Sequence, residues 1–174
     1  MCLIFIVNKM KPLSFFFRVL LIFIFLTIYV GKAQLDTNQY KIFKFNPKEK
    51  FIFDKSFKPT ELNKENIEEI YKLLGPAIEN YILDEIDVFK KLNPGKSYNI
   101  ENIKIQWEKY KYQFIPVINK KGELIVWCNA ICNGRDFNWK NSIIIVHDGG
   151  KCFFNLKINL TKHKAFELLV NGLS

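Results

Sequence analysis

The feature that most constrains the fold is a change of hydrophobic period partway along the chain. Ile67, Ile70, Tyr71, Leu74, Ile78, Tyr81, Ile82 and Phe89 recur at helical spacing, with Glu68, Glu69, Lys72, Glu79 and Glu85 mainly on other faces. That is the pattern of an amphipathic helix. Thr60 or Asn63 can cap its first turn, Glu65 suits the positive end of its dipole, and Asn93-Pro94-Gly95 stops it. Gly75-Pro76 lies inside the stripe. Because Pro76 has no N–H for the carbonyl one turn back, the segment reads as one kinked helix or two abutting ones.

After Ser97 the period becomes that of strands. A weak strand is expected over Tyr98 to Ile105. Lys109 to Ile118 follows, with Tyr110, Tyr112 and Phe114 on one face and Lys109, Lys111 and Gln113 on the other. Asn119-Lys120-Lys121-Gly122 is a hairpin loop from which Glu123 to Asn129 returns. After an irregular stretch, Ser142 to His147 forms the next strand, turns at Asp148-Gly149-Gly150 and runs back from Lys151 to Leu160. Phe166, Leu168 and Val170 mark a closing strand, and Tyr40 to Phe45 a short edge strand. A helical run followed by a run of strands is the α+β pattern. The expectation is an antiparallel β-sheet of about four to six strands with one long helix packed on one face. In element order it resembles cystatin-like rolls.

Before this domain lies an apolar segment. Lys9 and Lys11 precede Leu13 to Val30, a run interrupted only by Ser14, Arg18 and Thr27, and Gly31-Lys32-Ala33 places small residues ahead of Gln34. A positive start, an apolar stretch and a small-residue cleavage site make a secretory signal peptide. Residues 1–33 therefore read as the signal peptide, cleaved between Ala33 and Gln34, and residues 34–174 as a single exported domain, periplasmic or extracellular. Met10 with Lys11 offers an equally good start. The alternative is an uncleaved membrane anchor over residues 13–30, but a spanning helix needs about 20 apolar residues, and Arg18 interrupts this run.

Charge narrows the choice of partners. The formal charge of the chain is +9, and the leader contains Lys9, Lys11, Arg18 and Lys32 with no acid, which leaves +5 on the domain. All the basic residues except Arg18 and Arg135 are Lys. Base-edge and bidentate phosphate readout favour Arg, so no nucleic-acid partner is expected. The lysines read mostly as a solvated face.

Several stretches carry a resemblance. Tyr110-Lys111-Tyr112-Gln113-Phe114, Asn119-Lys120-Lys121-Gly122-Glu123, Trp139-Lys140, Asp148-Gly149-Gly150-Lys151-Cys152-Phe153-Phe154 and Val170-Asn171-Gly172 resemble an uncharacterised family of small exported proteins of Bacteroidota-type bacteria. The resemblance implies export and a shared fold, and it brings no catalytic residues with it.

Chemistry-bearing residues are sparse. His147 and Cys152 flank the Asp148-Gly149-Gly150 turn, where one hairpin register would set them opposite each other, at a distance that allows a thiolate nucleophile. The register favoured by Asp148-Gly149 pairs Cys152 with Ile145 instead, and nothing orients the base. Packing explains both residues equally well. Cys128, Cys132 and Cys152 with His147 and His163 match no zinc spacing, and no metal or cofactor is expected. Asp84, Glu85 and Asp87 point different ways on the helix. Asn159-Leu160-Thr161 fits a glycosylation sequon at a strand end. Of the thiols, Cys128 and Cys132 form the more plausible pair, because a strand would separate Cys128 from Cys152.

Aromatic residues give the remaining signal. Phe153 falls on the face of Asn155 and Lys157, while Phe137 and Trp139 lie in the irregular stretch, so these three are a candidate exposed binding surface. The function expected is a non-catalytic exported binding protein for a protein, peptide, glycan or lipid ligand, with membrane contact only through an uncleaved leader. The alternative is a small extracytoplasmic hydrolase or thiol enzyme built on His147 and Cys152.

Overall fold

Asn63 starts the helix and Asn93 ends it. In the computed structural model, which describes residues 38–48, 51–132 and 137–172, the Asn63 side chain accepts from the Asn66 N–H at 2.8 Å. The Asn66 side chain returns the bond to the Asn63 N–H at 3.1 Å. This reciprocal cap satisfies N–H groups that the first turn cannot pair internally. Helix α1 then runs over Lys64–Leu92 as one element, with Pro76 inside it. Its buried residues are Ile67, Ile70, Leu74, Gly75 and Ile78, all in the first half. The leader reading, with Ala33 and Gln34, lies outside the described residues.

The sheet contains β1 (Tyr40–Ile42), β2 (Lys58–Pro59), β3 (Tyr110–Ile118), β4 (Leu124–Cys132), β5 (Phe153–Asn159) and β6 (Lys164–Val170). Its order is β1-β3-β4-β5-β6, and β2 also pairs with β3. The α+β expectation holds, with the helix against one face. One strand departs from the antiparallel rule, since β1 runs parallel to β3 with Tyr40 opposite Tyr112. The β3–β4 loop is the one expected: Gly122 at φ 77° lets Asn119 N–H reach the Glu123 carbonyl at 3.0 Å. A left-handed residue at that point is the glycine's task.

Two expected strands are absent from the described residues. In Tyr98 to Ile105 the Asn99 side chain accepts from the Glu101 N–H and starts a short 3-10 turn, Ile100–Asn102. Asparagine competes with ladder bonding in this way. Ser142 to His147 stays irregular, so β4 pairs directly with β5 and Ile131 lies opposite Phe153. The Asp148-Gly149-Gly150 turn leads into a 3-10 turn, Gly150–Cys152, instead of closing a hairpin.

Alternation sorts the strands onto two buried faces. Tyr112, Phe114, Val126, Cys128, Phe154 and Leu156 meet the buried stripe of α1. Ile115, Val117, Ile125 and Trp127 face the other way, onto Phe45, Ile52 and Phe53 from the irregular segment before β2. Gln113 was expected to face solvent on that side, yet it is 0% exposed. Segment 137–148 covers it, and side-chain amides do the work of a strand partner. Gln113 Nε2 donates to the carbonyls of Trp139 at 2.6 Å and Ser142 at 2.7 Å, and its Oε1 accepts from Ile144 N–H at 2.9 Å. Asn129 Nδ2 donates to the Ile144 carbonyl at 2.7 Å and to Gln113 Oε1 at 3.0 Å. Those bonds explain why Ser142 to His147, with its apolar run Ile143 to Val146, does not join the ladder.

The outer strand β6 carries one irregularity. Lys157 lies opposite Phe166 and Asn155 opposite Leu169, so β6 has one more residue than β5 between those pairs. Glu167, within this bulge, has φ 51°, and its carboxylate meets the Lys157 ammonium at 2.7 Å.

Candidate functional site

The strand order decides the thiols. With Ile131 opposite Phe153, the next residues outward are Cys132 and Cys152, and they form a disulfide with Cα atoms 4.7 Å apart. The expected Cys128–Cys132 pair is corrected: four residues along one strand separates their Cα atoms by roughly 13 Å, too far for a bridge. Cys128 is instead a free thiol buried against α1, and burial pushes its pKa up. The His147–Cys152 dyad is corrected as well. Cys152 sulfur is bonded to Cys132, so it offers no thiolate, and His147 lies exposed in the irregular segment.

The aromatic surface also changes. Phe153 is 4% exposed, under the Phe137 ring at 5.7 Å in an edge-to-face contact. Gly149 closes over it, with φ 88° and an implied Cβ position only 2.8 Å from the Phe153 ring. Phe153 therefore belongs to the core. Phe137 is half-buried against it. Trp139 is also half-buried, with the Lys140 and Lys111 ammoniums 5.4 and 5.8 Å from its ring centroid. Cations over an indole face are attracted by its quadrupole.

The Lys111 ammonium marks the edge of a cleft of about 690 Å³ at the start of β3. The disulfide forms part of its wall through Cys132. Tyr110 forms another part; it is buried, donates its hydroxyl to the Lys151 carbonyl at 2.7 Å, and burial raises its pKa to about 12. Among the described residues the charged lining is Lys104, Lys109, Lys111 and Lys151 with Glu101 and Glu108, an excess of two positive charges. Two of the ammoniums are held by carbonyls: Lys111 Nζ donates to Asn38 O at 3.2 Å, and Lys151 Nζ donates to Glu101 O. Lys104 pairs with the Glu101 carboxylate at 3.2 Å. These lysines went unremarked in the sequence because Lys151 stands far along the chain from the other three, and only the disulfide register brings it to them. The alternation Lys109, Tyr110, Lys111 was the one legible trace.

Other polar clusters hold the fold together. Glu123 accepts from Asn119 Nδ2 at 2.9 Å and Asn159 Nδ2 at 3.0 Å and meets the Lys162 ammonium at 2.7 Å. These partners, Lys162 first, bring its pKa down to about 2. Asn159 of the sequon is 6% exposed with its amide engaged by Glu123, so it is closed to glycosylation in the folded chain. His163 Nδ1 lies 2.9 Å from Glu69 Oε1, tying the β5–β6 turn to α1, and that bond leads the causes holding the Glu69 carboxyl below its usual range. Asp84 and Asp87 are exposed on the second half of α1.

Among the described residues no group of three or more His, Cys, Asp or Glu is placed to hold a metal ion. No helix among them is long and apolar enough to cross a membrane. Compared with protein-family models, curated proteins and solved structures, the chain matches none.

Proposed function

We propose that the chain is an exported, non-catalytic binding domain whose ligand-facing surface is the cleft beside the disulfide. The Cys132–Cys152 bridge carries this reading. Structural disulfides form and persist in oxidising compartments, which agrees with a cleaved leader over residues 1–33. The resemblance to small exported proteins of Bacteroidota-type bacteria points the same way. The bridge also removes the thiol on which an enzyme reading depended. Cys128 cannot replace it, being sealed in the core with its thiol held protonated. A lysine-lined cleft suits capture of a charged ligand better than nucleophilic chemistry.

Two measurements test the reading. N-terminal sequencing of the exported form is expected to begin at Gln34, and recovery of the intact chain in membranes would replace export by anchoring. The purified exported form should bind ligands on peptide, glycan or lipid arrays without turning any over. Hydrolysis by the purified protein would overturn the binding reading, its loss in a folded His147→Ala, Cys152→Ala variant assigning the activity to those residues and its survival assigning it to others in the chain.

A further inference from the structure

The cleft has a charge pattern specific enough to name a ligand chemistry. An ammonium has three donors. Lys111 and Lys151 each give one to a neutral backbone carbonyl, so each keeps its full charge and two donors while its position is fixed. A flexible lysine normally loses rotamer freedom when it grips a ligand. Here part of that cost is already met by folding. Lys109, exposed at the turn before β3, has no acidic partner among the described residues.

The lining also argues about shape. The planar fork of Arg suits bidentate readout of carboxylate and phosphate alike, whereas Lys holds phosphate oxygens as a point charge without fixing one orientation. Among the described residues the charged lining of this cleft contains Lys and no Arg. Glu101 is engaged by Lys104, so Glu108 is the acid left to oppose Lys109, Lys111 and Lys151. That excess of two positive charges matches a phosphate monoester, which carries about 1.5 to 2 negative charges near neutral pH, and an inorganic pyrophosphate is more negative still.

We infer that the cleft binds a phosphate-bearing ligand with at least two negative charges, gripped by Lys111 and Lys151 from fixed positions and by Lys109 from a mobile one. This rests on the proposal that the domain binds and does not catalyse. The phosphate can be free in solution or displayed on a lipid, and the contacts are the same in both cases.

The test is titration of the exported form with inorganic pyrophosphate at low ionic strength, followed by amide chemical shifts. Shifts are expected at residues 104–111 and 151. Lys109→Gln, which removes no bond of the fold, should weaken binding about fivefold, the order of one partly exposed charge pair. Lys151→Gln should weaken it further, and Lys121→Gln, on the β3–β4 loop, should leave it unchanged. Raising salt should weaken wild-type binding more than that of Lys109→Gln. Vesicles of phosphatidylcholine with phosphatidic acid, against phosphatidylcholine alone, separate the sources: competition with pyrophosphate identifies a lipid-borne phosphate, and its absence a soluble one. Unchanged affinity in Lys109→Gln, or shifts confined to other surfaces, would overturn the inference. Release of inorganic phosphate from a bound ester would instead sink the non-catalytic reading and leave the cleft assignment standing.

Discussion

The two faces of the sheet are closed by different means. On one, α1 lays an apolar stripe over Tyr112, Phe114 and Leu156, and stability comes from area removed from water. On the other, irregular segments cover the sheet, and 137–148 is tied down through the amides of Gln113 and Asn129. Apolar packing is non-directional and spread over many atoms, while the amide clamp concentrates its effect in two side chains. The first face should therefore fail gradually and globally, the second abruptly and locally.

Leu74→Ala gives the largest expected effect. Leu74 is fully buried in the helix core, and truncations of this kind cost about 2–5 kcal/mol. Urea melts should show the loss through one cooperative transition read equally by helix and sheet signals. Two separate transitions would break the idea that this face behaves as a unit.

Removing the disulfide comes next. The bridge spans 20 residues of sequence, and closing a loop of that size stabilises by about 3 kcal/mol in the chain-entropy model. A Cys132→Ser, Cys152→Ser variant should melt lower and lose amide protection in 137–152 first. Equal loss of protection in α1 would show that the second face is not local.

Gln113→Ala should cost about 2 kcal/mol, since it removes three bonds to part-buried backbone groups of the covering segment and leaves the buried Asn129 amide with one partner fewer. Hydrogen exchange sharpens the comparison here: Ile144 should lose protection while Ile70 and Leu74 keep theirs. Retained protection at Ile144 would assign the clamp to packing instead.

The smallest effect is acid sensitivity at Glu123. Its folded pKa is lowered to about 2 from a reference of 4.5. A depressed carboxyl contributes stability that is complete above the unfolded value and is lost as the pH falls through the folded one. Glu123→Gln should therefore be less stable than wild type at neutral pH, with the gap closing between about pH 4.5 and 2. A gap that stays constant over that interval would show that Lys162, Asn119 and Asn159 do not favour the charged form.

The helix face was legible because its signals are local. Asn63, the stripe from Ile67 to Ile78, and Asn93 each act within a turn or two of themselves. The strands β3 to β6 were legible for the same reason, since alternation survives in Tyr110 to Phe114 and Phe154 to Ile158. A β-branched apolar run does not say whether a strand finds a partner. Ser142 to His147 contains such a run, Ile143 to Val146, yet its backbone polar groups are met by Gln113 and Asn129, residues that look like outward polar positions until the cover above them is known. That single misreading propagated. It inserted a strand between β4 and β5, moved Cys152 away from Cys132, and left Phe153 facing solvent. The cleft was illegible for a related reason: Lys151 comes to line the same cleft as Lys111 only through the strand order.

The bulge in β6 has a consequence for life in a crowded compartment. The seven-residue β6 ends the sheet among the described residues, with Leu169 62% exposed upon it, and the outward-facing backbone groups of such an edge would ordinarily invite a further strand. Glu167 interrupts that template by sitting in the left-handed region, where a non-glycine residue costs about 1–2 kcal/mol. Its carboxylate, held by Lys157, sets a charge beside the interruption. A strand so bent cannot offer a straight, regular row of donors and acceptors to a neighbour. The chain thus gives up some stability of its own at one residue, and the outer edge of the sheet loses the even spacing that an added strand would need.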